Sequence, residues 1–211
     1  SSGASAFDEV DQKGQKRFKS MKTCAGCHLL QPGRNGKVKM IGANLLGSDL
    51  RQLDLRQADL RRANMRGVNL QGVDLTAARL KGALLRGANL RGANCREVNF
   101  VDADLRHAYL VDADLTGASL HRAQLDGADL RRAALCGLDL AEVRFGRVNL
   151  EGANLTDAMI EGADLSQAQL QGCCMADLLY DDETSFPDGF DAESQDRKST
   201  RLNSSHFEIS Y

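Results

Sequence analysis

Ala58-Asp59-Leu60-Arg61-Arg62-Ala63-Asn64-Met65-Arg66-Gly67-Val68-Asn69-Leu70-Gln71-Gly72-Val73-Asp74-Leu75 states one five-residue phrase three times and begins it a fourth. A small residue comes first, then Asp or Asn, then a large apolar residue, then two mostly polar residues. Working outward, the phrase keeps its phase from Leu45 to Met175. Of the 27 large apolar positions, 21 are Leu; the others are Met65, Cys95, Phe100, Phe145, Ile160 and Met175. Two residues before each, Ala stands 18 times, and Asp or Asn fills the intervening place 17 times. Gly recurs 12 times two residues after the large position.

A period of five fits neither regular element. Along an α-helix it advances roughly 500°, so the apolar stripe drifts about 140° per repeat and faces no single core. Along a flat strand five is odd, so alternate Leu residues point to opposite faces. The apolar pair at spacing two still shares one face of an extended segment. The chain therefore bends once per repeat, and Gly at the bend admits backbone angles that other residues resist. The expected result is an all-β closed coil with Leu inside and Asp or Asn outside.

This pattern resembles the pentapeptide-repeat family, with its A(D/N)LXX signature, over residues 43–177. The resemblance implies a right-handed quadrilateral parallel β-helix of about seven coils, four repeats to each 20-residue coil. After Met175, Tyr180, Phe186 and Phe190 appear around a Pro187-Asp188-Gly189 turn. They are expected to cover the last coil as a cap over residues 178–195, as in cyanobacterial-type members. Residues 196–211 carry neither repeat nor helical stripe and read as a non-native or disordered tail.

The composition narrows the function classes. Aromatics make up 5 % of 211 residues, there is no Trp, and the formal net charge is −2. No run of 18 apolar residues provides a membrane span. Six Cys at irregular spacing make no disulfide framework. Charge is distributed unevenly along the repeat. Leu46–Arg106 holds 11 Lys/Arg against 7 Asp/Glu, and His107–Asp177 holds 5 against 11. At 20 residues per coil, Arg66, Arg86 and Arg106 form one ladder and are candidate partner-binding residues. Arg51, Arg91 and Arg131 lie on the next side, and Arg56 and Arg96 on the third. Some pentapeptide-repeat proteins mimic duplex DNA and bind gyrase. That role needs an acidic rod, and the basic first half argues against it. The outer positions also lack the aromatic stacking groups that nucleic-acid binding uses. No catalytic constellation stands out, so the chain reads as non-enzymatic.

Chemistry is confined to a leader, residues 1–42. Cys24-Ala25-Gly26-Cys27-His28 has the spacing of a covalent haem c site, with two thiols for the vinyl groups and His28 as proximal iron ligand. Phe7 to Lys22 reads as a short basic helix before it. Together with the Gly/Lys-rich stretch that follows, residues 8–47 resemble the opening of a class I cytochrome c. The resemblance implies haem c, a redox partner, and residence in a thylakoid lumen, periplasm or mitochondrial intermembrane space. The chain departs from that family by entering the repeats where further helices and a distal Met belong. Met40 is the nearby soft side chain that could serve as distal ligand, while His107 and His121 occupy outward repeat positions. The motif also reads as a cytochrome remnant without haem, as a redox dithiol, or as half a zinc site.

Overall fold

The computed structural model describes residues 38–51 and 53–192, together with the short strands Phe7–Val10, Lys16–Phe18 and Thr200–Arg201. From Lys39 onward the backbone winds into stacked coils. Parallel bridges join residues 20 apart, from Lys39 with Asp59 and Asn44 with Asn64 through to Met159 with Leu179. The rungs are short and regular. Leu45 N–H donates to Asn64 O at 2.7 Å, and Asn64 N–H donates to Ala43 O at 2.8 Å. Each coil thus satisfies the backbone of the next, as a parallel ladder requires. Four bends close each coil and give the rod four sides.

Nearly every described bend is a tight turn across the two residues after the large apolar one, the exception being Phe145-Gly146-Arg147-Val148, where the positive φ falls on Gly146. Ala63 N–H donates to Leu60 O at 3.1 Å across Arg61 and Arg62. Arg62, the third residue of that turn, has φ +57°, the positive value of a type II turn. Gly occupies this place in many repeats, as the sequence leads one to expect. Among the described residues eleven non-glycine positions, Arg62 included, adopt positive φ, Ala77, His107 and Arg132 among them. Stacking on both sides holds them in a region that L-residues avoid in isolation.

All 27 large positions are buried, as are 26 of the 27 small ones; Leu53 is only partly covered. The largest fully enclosed side chains include Phe100 and Phe145, which take single places in columns of Leu. Each buried Leu contributes about 1.5–3 kcal/mol, so a long aliphatic column holds the rod together without many aromatics. Among the described residues no buried side-chain nitrogen or oxygen lacks a hydrogen-bond partner.

At the C-terminal end the register lengthens by one residue, Asp164 pairing with Ser185. Tyr180 meets Phe186 edge-on, and Phe186 stacks on Phe190, both at 5.5 Å between ring centres. These aromatics pack on the core as the expected cap.

Three sequence expectations require correction. Phe7–Val10 and Lys16–Phe18 do not form a helix but pair antiparallel. Phe7, Val10 and Phe18 favour strands, and Gly14 between them weakens a helix. Met40 does not belong to the leader. It is 4 % exposed in the core, one residue beyond the first bridge at Lys39, so the coils begin before Ala43. Its thioether is used in packing rather than offered as a distal haem ligand. Finally, Thr200–Arg201, expected to lie in an unstructured tail, pairs parallel with Leu179–Tyr180. The edge of a last coil offers unpaired backbone groups to whatever strand reaches it.

Candidate functional site

The rod presents function on its outside. Among the described residues no three His, Cys, Asp or Glu side chains gather into a metal-binding group, and no helix is long and apolar enough to cross a membrane. The leader motif Cys24, Cys27 and His28 lies outside the described residues.

The outer surface is built from one local device that the sequence reading passed over. Residues just before and just after an inward Leu both point outward, so Asp-Leu-Arg brings a carboxylate and a guanidinium together. Arg106 donates from Nε and Nη2 to the two oxygens of Asp104, each at 2.8 Å. Arg61 does the same to Asp59 at 2.7 and 2.6 Å, and Arg131 to Asp129 at 2.8 and 2.7 Å. Arg51 with Asp49 and Arg56 with Asp54 complete the set. In all five the guanidinium hydrogen bonds hold the carboxyl below the usual carboxylate range. Other arginines are engaged between coils. Arg132 reaches Asp112 at 2.7 Å, Arg122 reaches Asp102 at 3.0 Å, and Arg96 reaches Asp114 at 3.2 Å. Neighbouring Asn side chains also bond along the rod, Asn64 Nδ2 donating to Asn44 Oδ1 at 3.0 Å.

Most of the expected Arg ladders are therefore internally neutralised. Arg51, Arg56, Arg96, Arg106 and Arg131 each face a carboxylate of their own chain. Arg66, Arg86 and Arg91 differ, and the first two share one corner. Both are exposed, and among the described residues neither has a carboxylate within ion-pair distance; Arg66 makes a single long contact to Asn64 Oδ1 at 3.4 Å. They stack one coil apart, about 4.8 Å. The glycines that follow, Gly67 and Gly87, have nothing within 4 Å of where a Cβ would stand. One coil earlier on the same corner is Leu46, at 54 % among the most exposed large apolar side chains. Two guanidiniums with donors to spare, beside an exposed leucine on an open corner, form an anion-binding strip with an apolar end.

His107 and His121 are both outward. His107 leans over Gly127, and His121 Nε2 lies 3.5 Å from Glu142 Oε2. The thiols divide by place: Cys95 and Cys173 are buried, Cys136 is half-buried and Cys174 is exposed.

The comparisons agree with this architecture. Residues 37–67, 69–106, 99–135 and 139–176 match the family model described as pentapeptide repeats, in eight copies. The trypsin-treated form of QnrB1, a plasmid-mediated fluoroquinolone resistance protein, is similar at a TM-score of 0.60 and 18 % identity, over 80 % of this chain and 92 % of that one. HetL, a pentapeptide-repeat protein involved in heterocyst differentiation regulation from the cyanobacterium Nostoc, is 24 % identical over 82 % of this chain and 92 % of that one, at a TM-score of 0.43. No curated protein matches the sequence. At these identities the likeness to QnrB1 establishes the fold, a right-handed β-helix of pentapeptide repeats.

Proposed function

We propose that this chain, which belongs to the pentapeptide-repeat family, is a non-enzymatic scaffold that takes an acidic protein segment on its Arg66–Arg86 corner. The carrying observation is the contrast between neighbours in one ladder. Asp104 neutralises Arg106 with a two-bond fork, while Arg66 and Arg86 keep their donors for a partner. Arg is suited to this, since its planar fork matches a carboxylate in two bonds. Leu46 supplies an apolar anchor beside the charges, the combination that concentrates binding energy at interfaces. The test is binding of a fluorescent Glu-rich peptide carrying one apolar residue. Arg66→Glu with Arg86→Glu abolishes binding while the circular dichroism spectrum stays unchanged; equal binding by that variant overturns the reading.

A second reading concerns the leader and rests on Cys24-Ala25-Gly26-Cys27-His28. Two thiols and an adjacent imidazole are the donor set of covalent haem c, which would add one-electron chemistry to the scaffold. The two thiols would anchor the group and His28 would hold its iron. Co-expression with haem c maturation machinery gives a haemochrome absorbance that Cys24→Ser with Cys27→Ser removes. A colourless product from the unaltered chain sinks this reading and leaves the scaffold reading intact.

A further inference from the structure

We infer that the partner taken at the Arg66–Arg86 corner is a short extended protein segment lying along the adjoining side of the rod, with two apolar residues four positions apart and an acidic residue midway between them. This rests on the proposed capture of an acidic partner and specifies the form of its ligand. The side concerned carries the bridge series Asp49, Asn69, Asn89 and Tyr109.

In its second and third coils this side holds no carboxylate. Positions 66–72 read Arg-Gly-Val-Asn-Leu-Gln-Gly, and positions 86–92 read Arg-Gly-Ala-Asn-Leu-Arg-Gly. Arg91 stands on the far corner of the side from Arg86, exposed. The acids that feel its charge, Asp112 and Asp129, are already forked by Arg132 and Arg131. Asp104, which feels Arg66, is likewise forked by Arg106, and Asp49 in the first coil by Arg51. Between the two corners the floor is low and open. Gly67, Gly72, Gly87 and Gly92 have nothing within 4 Å of where a Cβ would stand. Asn69 Oδ1 accepts from Asn89 Nδ2 and from the Gln71 N–H, and Asn89 Oδ1 accepts from the Arg91 N–H, each at 3.2 Å. Both carboxamide oxygens are thus engaged from within, so the floor offers N–H groups to a ligand, which suits an anion.

The two ends of this floor are apolar. Leu46 in the first coil is 54 % exposed, and Tyr109 in the fourth is 50 % exposed. Across Leu110 from Tyr109 stands Val111, where other repeats set the arginine of a fork, so no forked charge belongs to this repeat. Three coils separate Leu46 from Tyr109, about 14 Å along the axis, and an extended segment covers that in about four residues. Side chains at i, i+2 and i+4 of such a segment share one face. Apolar residues at i and i+4 then meet Leu46 and Tyr109, while the side chain at i+2 descends between the corners. A carboxylate there is offered guanidinium donors from both sides, the strong form of the hydrogen bond. Tyr and Arg around an open floor are also the residue types that concentrate binding energy.

The test is binding of two fluorescent peptides of one composition to the full chain, Ser-Leu-Glu-Glu-Glu-Phe-Ser and Ser-Leu-Phe-Glu-Glu-Glu-Ser. The first binds about tenfold or more tighter, although their charges are equal. Tyr109→Ala abolishes that advantage, Arg91→Ala weakens the first peptide, and Arg66→Glu with Arg86→Glu removes both. Equal binding of the two peptides that only the double variant removes leaves acidic capture standing and overturns this inference. Binding of neither peptide overturns both readings. Preference for a single-stranded oligonucleotide of equal charge over the first peptide also overturns the inference. Retained circular dichroism and melting temperature for Tyr109→Ala and Arg91→Ala exclude misfolding as the cause.

Discussion

Asp104 and Arg106 stand on either side of the buried Leu105 and close a two-bond fork over it, with the Asp104 side chain only 8 % exposed. The Arg106 hydrogen bonds hold the Asp104 carboxyl below its ordinary value, outweighing the opposite push of its burial. A carboxyl with a depressed native pKa binds protons more readily in the unfolded chain. Its contribution is therefore full above the unfolded value of about 3.9 and is lost as pH falls through the lower native value. The urea midpoint should hold steady from neutral pH to about pH 4 and fall steeply below it. Asp104→Asn should cost roughly 1 kcal/mol at neutral pH and flatten part of that acid limb. Parallel curves for variant and unaltered protein at all pH values would show that the fork does not contribute.

The thiols supply a second test, of burial rather than charge. Cys95 sits in the axial column, where burial pushes its pKa up to about 12. Cys173 is raised to about 11 for the same reason, and its Sγ lies 2.9 Å from Leu150 O. Only the thiolate reacts, so neither should alkylate in the native protein. Among the four thiols of the rod, iodoacetamide labelling followed by peptide mass spectrometry should modify Cys174 first, Cys136 more slowly, and Cys95 and Cys173 only after unfolding. Native modification of Cys95 would contradict the inward orientation of its repeat.

The glycines at the bends separate two costs that usually come together. Gly92 has φ +60° and open space around a would-be Cβ, so Gly92→Ala adds backbone strain alone, about 1 kcal/mol. Gly127 has φ +68°, and a Cβ there would come within 2.4 Å of His107 Nδ1. Gly127→Ala must also displace the imidazole and should destabilise more. Ala77→Gly relieves φ +56° but frees the unfolded chain, so it should change stability little. Chemical denaturation of the three variants gives the order, and Gly92→Ala costing as much as Gly127→Ala would refute it.

The coil was readable because its cause is periodic. A five-residue rhythm with Leu60, Met65 and Leu70 all inward requires one bend per repeat and a closed coil, while the four sides that stack residues 20 apart were what the resemblance to the pentapeptide-repeat family implied. The binding strip was readable only in part. Counting charges placed Arg66, Arg86 and Arg106 in one ladder, but which guanidiniums stay free depends on what stands two residues earlier and, as Arg96 with Asp114 and Arg132 with Asp112 show, on the neighbouring coil. Before Arg106 stands Asp104; before Arg66 stands Asn64, and before Arg86 stands Leu84. The signal was in the sequence as Asp-Leu-Arg against Asn-Met-Arg and Leu-Leu-Arg. It becomes visible once positions either side of an inward residue are known to share one outer side. Met40 was misplaced for a different reason. Val38 stands two residues before Met40 and Met40 five before Leu45, so the pair was already in phase with the repeat, but the resemblance of the leader drew it the other way.

Phe100 gives the strongest test of how the rod is held. It occupies a place that Leu80 fills one coil before and Leu120 one coil after, and it is fully enclosed. Phe100→Ala should cost about 3–5 kcal/mol, since the neighbouring coils are pinned by their own ladders and close the cavity only partly. Phe100→Leu restores the residue common to the column and should cost much less, within the range of volume-tolerant core changes. A solenoid transmits damage through nearest neighbours, so the loss should not spread evenly. Phe100 N–H donates to Ser119 O at 2.8 Å, and Asn99 N–H donates to Ala78 O at 3.0 Å. In Phe100→Ala, native-state hydrogen exchange should accelerate at those rungs and fade towards the coils of Asn154 and Cys174. Uniform acceleration along the whole rod would mean that the coils unfold as one unit, and that the stability of each does not depend chiefly on the two it touches.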